Sequence, residues 1–208
     1  MKIELAYPKI PEQTDCPLKD CIAFEKYDGT NIHIDFDILI DTNDEPLCCF
    51  NSFGTRRDSF YTAKDFISAH PELKEVPELI AELQYDHDLG NYLIEFSKHQ
   101  KCNIKIFAEF LGPNSFAGEH IASDPKQLVI FDIMLDGSLI YPDVFIKDFS
   151  QFNIAKVVYK GKYNGQFIND VYEGKYQVNE GVVCKGIVNG QVYMTKIKTN
   201  AYLKKLKK

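Results

Sequence analysis

Hydrophobic residues alternate with polar ones almost without a break through Ile32-His33-Ile34-Asp35-Phe36-Asp37-Ile38-Leu39-Ile40, the period of two expected of a strand with one buried face. Asp41-Thr42-Asn43-Asp44-Glu45-Pro46 has turn chemistry, so Leu47 to Phe50 reads as the returning strand of a hairpin. From Tyr61 to Cys102 the period lengthens. Asp65-Phe66-Ile67, Leu79-Ile80-Ala81-Glu82-Leu83 and Tyr92-Leu93-Ile94-Glu95-Phe96 have helical spacing, broken by Pro71, Pro77 and Gly90. Strand patterning resumes at Ile104 to Leu111, Leu128 to Leu135, Ala155 to Tyr159, Gly181 to Val188 and Val192 to Thr199. These elements predict a strand-rich α+β protein, a single domain over residues 1–208 with a helical insertion at about 61–102 and helices packed on sheets.

Composition narrows the class. A chain of 208 residues that is 45% hydrophobic can close a sizeable core, which excludes disorder. No apolar run approaches a membrane span, and Met1 to Ile10 lacks the basic-then-apolar layout of a signal peptide, so an intracellular (cytoplasmic), soluble protein with no membrane partner is expected. The six cysteines, Cys16, Cys21, Cys48, Cys49, Cys102 and Cys184, form no Cys-x-x-Cys pair and have no His at zinc-finger spacing, so they read as buried free thiols. With 24 Lys+Arg against 30 Asp+Glu the net charge is -6, which argues against a non-specific nucleic-acid coat and leaves room for a local basic cleft. The run Lys204-Lys205-Leu206-Lys207-Lys208 reads as a solvated helix end or frayed tail.

Five segments carry candidate chemistry. Glu25-Lys26-Tyr27-Asp28-Gly29-Thr30-Asn31 sets a lysine at the end of an apolar strand, Cys21 to Phe24, ahead of an Asp-Gly turn. It suits either a surface hairpin or a lysine projecting into a cleft. In Ile104-Lys105-Ile106-Phe107-Ala108-Glu109-Phe110, parity places Glu109 on the face of Phe107, among apolar neighbours; a surface ion pair is the alternative. Asp132 interrupts the apolar run Leu128 to Leu135, and a carboxylate in a buried strand demands a cationic or donor partner. Glu180 precedes the strand Gly181-Val182-Val183-Cys184-Lys185; Glu180 and Lys185 differ in parity unless Gly181 supplies a bulge. Lys196 and Lys198, two apart on a strand, face the same way and favour an anion between them, unless they are solvated edge lysines that discourage sheet pairing.

Taken in order, Lys26-Tyr27-Asp28-Gly29, Phe107-Ala108-Glu109, Phe131-Asp132, Glu180-Gly181-Val182-Val183 and Lys196-Ile197-Lys198 resemble the nucleotidyltransferase motifs shared by ATP-dependent DNA and RNA ligases and mRNA-capping guanylyltransferases. The resemblance runs from about Cys21 to Lys198. Asn31, where DNA ligases and capping enzymes usually carry Arg, makes the first motif most similar to phage-type RNA ligases of the second class and kinetoplastid editing ligases. Arg56 sits where that group keeps an arginine after the first hairpin, with Arg57 as the alternative. Only residues 1–25 precede Lys26, which sets the NAD-dependent DNA ligases aside, and the chain stops at Lys208 where relatives append an OB-fold or a helical domain, so a bare catalytic core is expected.

The resemblance implies an ATP-grasp-like nucleotidyltransferase (adenylation) domain of the ligase type, two antiparallel sheets with flanking helices and ATP in the cleft between them. Lys26 would take AMP from ATP as a lysyl phosphoramidate, pass it to an RNA 5′-phosphate, and let a 3′-hydroxyl displace it. Lys196, Lys198 and Glu180 would share the catalytic work; Glu25, Asn31, Arg56, Glu109, Phe131 and Lys185 would bind ATP, and Asp132 would hold one of the cations in place. Glu109 would accept from ribose hydroxyls, Phe131 would stack on adenine, and Arg56 and Lys185 would meet ribose or phosphate. Mg²⁺ or Mn²⁺ would be steered by Asp28 and Glu180, and the substrate would be RNA ends in a nicked duplex, with a separate RNA-binding partner protein supplying the missing contacts. The alternatives are a capping guanylyltransferase, a DNA ligase-like enzyme and a non-catalytic nucleotide-binding module.

Overall fold

The computed structural model describes residues 7–12, 15–85, 88–115, 120, 121 and 123–207. Of the stretches named above, residues 1–6, residues 86 and 87 of the helical region and Lys208 of the basic tail lie outside the described residues. The chain divides into two compact units, each built on its own antiparallel sheet.

The first unit holds Gly29–Leu139, Gln151–Asn153 and Tyr7. Its sheet has the order β3-β2-β4-β5-β6, from β2 (Thr30–Ile40), β3 (Pro46–Thr55), β4 (Cys102–Leu111), β5 (Gln127–Leu135) and β6 (Ser138–Leu139). The alternation seen in the sequence sorts this sheet into two faces. Phe53, Ile34, Ile106 and Ile133 form one cross-strand row, on the buried apolar face. Helices α1 (Ala63–Ala69), α2 (Val76–Tyr85) and α3 (Leu89–Phe96) fill the region where the sequence predicts a helical insertion. Phe66 of α1 packs on Phe53 with ring centroids 4.9 Å apart and the rings tilted by 39°, which joins the insertion to that apolar face. The next row, Gly54-His33-Phe107-Asp132, points to the other face.

The second unit holds Pro8–Asp28, Ile140–Ser150 and Ile154–Lys208. Its sheet has the order β7-β1-β8-β9, from β1 (Asp20–Lys26), β7 (Val157–Lys162), β8 (Gly181–Val188) and β9 (Gln191–Lys198). β7 begins two residues later than the sequence pattern suggests and runs on to Lys162, because its hydrogen bonds follow β1 past the apolar stretch. On one face Ala23, Val182, Cys184 and Ile197 pack against Phe167 and Val171 of α5 (Gly165–Tyr172). On the other, Phe145 of α4 (Pro142–Phe149) meets Phe24 edge-on. A last helix, α6 (Asn200–Lys205), follows β9. All six cysteines are free; Cys21, Cys102 and Cys184 are buried and the others half-buried. Among the described residues no helix is long and apolar enough to cross a membrane.

Candidate active site

The register of the four-stranded sheet decides which lysines meet. Directly opposed residues on antiparallel strands point to the same face. Three rows therefore share the face turned away from α5: Lys26-Gly181-Lys198, Phe24-Val183-Lys196 and Ile22-Lys185-Met194. Four lysines from three strands thus project to one side of one sheet. The pairing of β8 runs in step from Gly181 to Val188 with no shift, so Gly181 forms no bulge there. Its value lies in having no side chain: a Cβ on it would come within 2.1 Å of the Ile197 carbonyl oxygen. Glu180 escapes the parity constraint by preceding the strand.

Across that glycine, Glu180 joins the two flanking lysines. The Lys26 ammonium donates to Oε2 at 2.7 Å, and Lys198 Nζ lies 3.1 Å from Oε1. The Glu180 side chain is only 2% exposed, and a carboxylate so buried persists because both oxygens meet a cation. The lysines keep partial solvent access. Asp28 accepts a hydrogen bond of 2.8 Å from the Tyr202 hydroxyl, and the Lys198 ammonium sits 4.8 Å from the centre of the same ring. The other candidates of this unit stand further off. Lys196 shares the face but pairs with Glu12 at 3.2 Å. Lys185, 2% exposed, lies over the rings of Phe24 and Phe145 at 4.7 and 5.5 Å. Glu25 is opposite Val182, on the face away from Lys26, where burial raises its carboxyl above the ordinary range against the pull of Lys156 and of the Tyr27 hydroxyl.

In the first unit, Asn31 of β2 and Glu109 of β4 are cross-strand partners. Glu109 accepts from the Gly29 amide at 3.0 Å, and a Cβ on Gly29 would come within 2.3 Å of the Phe110 carbonyl oxygen, so only glycine allows this approach. The amide oxygen of Asn31 is buried without a hydrogen-bond partner. Along β5 the register against β4 slips between Ile130 and Asp132, leaving Phe131 as the extra residue of a bulge. Its ring and that of Phe107 each meet Tyr7 edge-on, with centroids 4.9 Å away. The Tyr7 hydroxyl donates to Asp132, and Arg56 donates to the Tyr7 carbonyl oxygen at 3.5 Å. Burial, then the Asp132 charge, pushes the Tyr7 phenol well above its ordinary range, so it remains a donor.

Sequence reasoning missed Tyr7 and Tyr202. Neither belongs to a recognisable spacing, and each reaches its partner across more than a hundred residues of chain. The buried Asp132 announces that it needs a donor, but not which one.

Two antiparallel sheets with flanking helices, one of them presenting a lysine on a buried carboxylate, are the α+β architecture of a nucleotidyltransferase core. Residues 19–198 match the family model of RNA ligase, and the chain belongs to the RNA ligase family. Among solved structures it is similar in fold to the Naegleria gruberi RNA ligase. An apo mutant of that enzyme gives a TM-score of 0.59 at 16% identity, covering 99% of this chain and 59% of that one. Mutants with ATP and Mn and with AMP and Mn give 0.56 at 17% identity and 0.54 at 18%, covering 97% and 96% of this chain and 58% and 57% of theirs. This chain therefore spans under three-fifths of the length of those structures. No curated protein sequence matches.

Proposed function

We propose that the protein is an ATP-dependent RNA ligase, joining RNA 5′-phosphate and 3′-hydroxyl ends through lysyl-AMP and adenylated RNA. The observation that carries this reading is the row Lys26-Gly181-Lys198 with Glu180 bridging its two ammonium groups. In support, the solved neighbours include Naegleria RNA ligase with ATP and Mn, with AMP and Mn, and with PPi.

Lys26 is the nucleophile in this reading. Its ammonium must release a proton before the nitrogen can form a bond to the α-phosphorus of ATP, as the bond to pyrophosphate breaks. Glu180, 2.7 Å away, is the group in place to receive or relay that proton. Lys198 keeps the carboxylate anchored as Lys26 leaves it, and its own charge stands where negative charge grows on the phosphate oxygens. Lys196 would assist on the same face once it leaves the exposed Glu12. Phe131 would stack on adenine while Glu109 and Asn31 take ribose or phosphate groups; Arg56 and Lys185 would add positive charge, with Asp132 and Tyr7 fixing the Phe131 bulge.

The donor set suits a hydrated Mg²⁺ or Mn²⁺. Asp28 would supply the carboxylate that such an ion takes beside water and phosphate, and Glu180, whose two oxygens are ion-paired with Lys26 and Lys198, would join it once Lys26 leaves. Bound there, the ion would neutralise charge on the triphosphate.

The test is incubation with labelled ATP or GTP and a divalent cation. A covalent AMP adduct, absent with GTP and lost in Lys26→Ala and in Lys26→Arg, is expected, since a guanidinium stays protonated and cannot attack. Label on either variant at the wild-type level sinks the assignment. RNA ends in a nicked duplex are the proposed substrate; sealing no better than that of unannealed ends would remove the duplex preference.

A further inference from the structure

We propose that Tyr202 is a positioning residue of this site: its hydroxyl aims the Asp28 carboxylate for a divalent cation, and its ring confines the Lys198 ammonium beside Glu180. The inference rests on the function proposed above and adds to it a residue outside the five motif segments.

Tyr202 stands on α6, four residues past Lys198. Its hydroxyl donates to Asp28 Oδ2 at 2.8 Å, which takes one oxygen's lone pair and fixes the rotation of the carboxylate. Its ring meets the Lys198 ammonium at 4.8 Å, within the range of an attraction between a cation and an aromatic face. Lys198 is thereby held from two sides, by the ring and by Glu180 Oε1 at 3.1 Å.

The tyrosine is itself held by a short chain of contacts. Buried Thr199 caps α6 by accepting from the Tyr202 amide at 3.1 Å. Its own amide donates to the Glu180 carbonyl at 2.9 Å, and its hydroxyl donates to the Asn179 carbonyl at 3.2 Å. One residue therefore ties the start of α6 to the segment that carries Glu180. Tyr202 extends that tie to Asp28, two residues from Lys26. A tyrosine serving packing alone needs neither contact.

The experiment compares wild type, Tyr202→Phe and Tyr202→Leu in two readouts. The first is Mn²⁺ binding to the protein with AMP bound, by electron paramagnetic resonance. The second is lysyl-AMP formation, with KM for ATP and kcat determined separately across a Mg²⁺ series. Tyr202→Phe keeps the ring and loses the hydroxyl. It should weaken Mn²⁺ binding and raise the half-saturating Mg²⁺ concentration by about tenfold, the lower end for loss of a group that orients a metal ligand, with the melting temperature unchanged. Tyr202→Leu should show the same shift and in addition raise KM for ATP, because Lys198 is no longer confined. Wild-type Mn²⁺ affinity in Tyr202→Phe, or no Mn²⁺ binding by the wild type, overturns the inference. Wild type that binds Mn²⁺ and forms no lysyl-AMP overturns the ligase reading instead.

Discussion

Glu180 is the residue on which the charge arrangement turns. Replacing it by Gln keeps the shape and removes the charge that holds Lys26 and Lys198 3 Å or so from a common carboxylate. Glu180→Gln should therefore fold and melt within a few degrees of wild type while forming lysyl-AMP about a hundredfold more slowly; normal labelling would show that the bridge is only structural. Lys198→Ala should cost about two to three orders of magnitude in adenylation, the scale for one preorganised donor at a developing charge. Lys196→Ala should cost less, because Lys196 rests on an exposed partner, Glu12, one row away. Measuring both single-turnover rates checks the order, and an equal or reversed order would mean that the face reorganises when nucleotide binds.

At the scale of elements, β8 and β9 can lie side by side at Lys26-Gly181-Lys198 only because position 181 lacks a side chain. A methyl group there meets backbone at 2.1 Å, and backbone cannot swing aside as a side-chain tip can. Gly181→Ala should destabilise the protein by about 1–3 kcal/mol and lower the adduct yield by separating Lys198 from Glu180. Chemical denaturation measures the first and labelling the second. Strand β2 carries a different sensitivity. His33 is fully buried, with Nδ1 3.0 Å from the Thr55 carbonyl oxygen and Nε2 near Ser59 and Asp35. Burial holds its imidazole below the ordinary 6.5, with Lys105 adding to that and Asp35, Thr55 and Asp58 opposing it. Below about pH 6.5 the unfolded chain takes up a proton that the folded one refuses, so this contribution is whole above that pH and is lost as pH falls through the depressed folded value. The melting temperature of wild type should fall between pH 7 and pH 5.5 by more than that of His33→Asn. Parallel curves would assign the pH dependence to carboxylates instead.

Over the whole molecule, a net charge of -6 means that the RNA phosphates of the proposed substrate would have to be met by local cations against an unfavourable background. Sealing of a pre-adenylated nick should therefore weaken steeply as salt rises, while lysyl-AMP formation, whose charged partners are held by geometry, should change little; equal sensitivity of the two steps would contradict this. How much of the protein is legible in its sequence follows the range of the interactions. The alternation through Ile32 to Ile40 and the spacing from Asp65 to Phe96 report burial that repeats every two or every three to four residues, so the strands, the helical insertion and the shared face of Lys196 and Lys198 are written locally. The order of the motifs also sufficed to name the RNA ligase family. Register is not local. Only the pairing of β1, β8 and β9 sets Lys26 and Lys198 on either side of Gly181, sends Glu25 to the opposite face and places Lys185 beneath two aromatic rings. Tyr7 and Tyr202 find Asp132 and Asp28 through contacts 125 and 174 residues apart in sequence. The sequence by itself determined which apolar positions would turn inward and which chemistry was on hand, because solvent acts on each short segment separately; the tertiary structure alone decided which polar groups are buried and which charges neighbour one another, because that depends on strands brought together from distant parts of the chain.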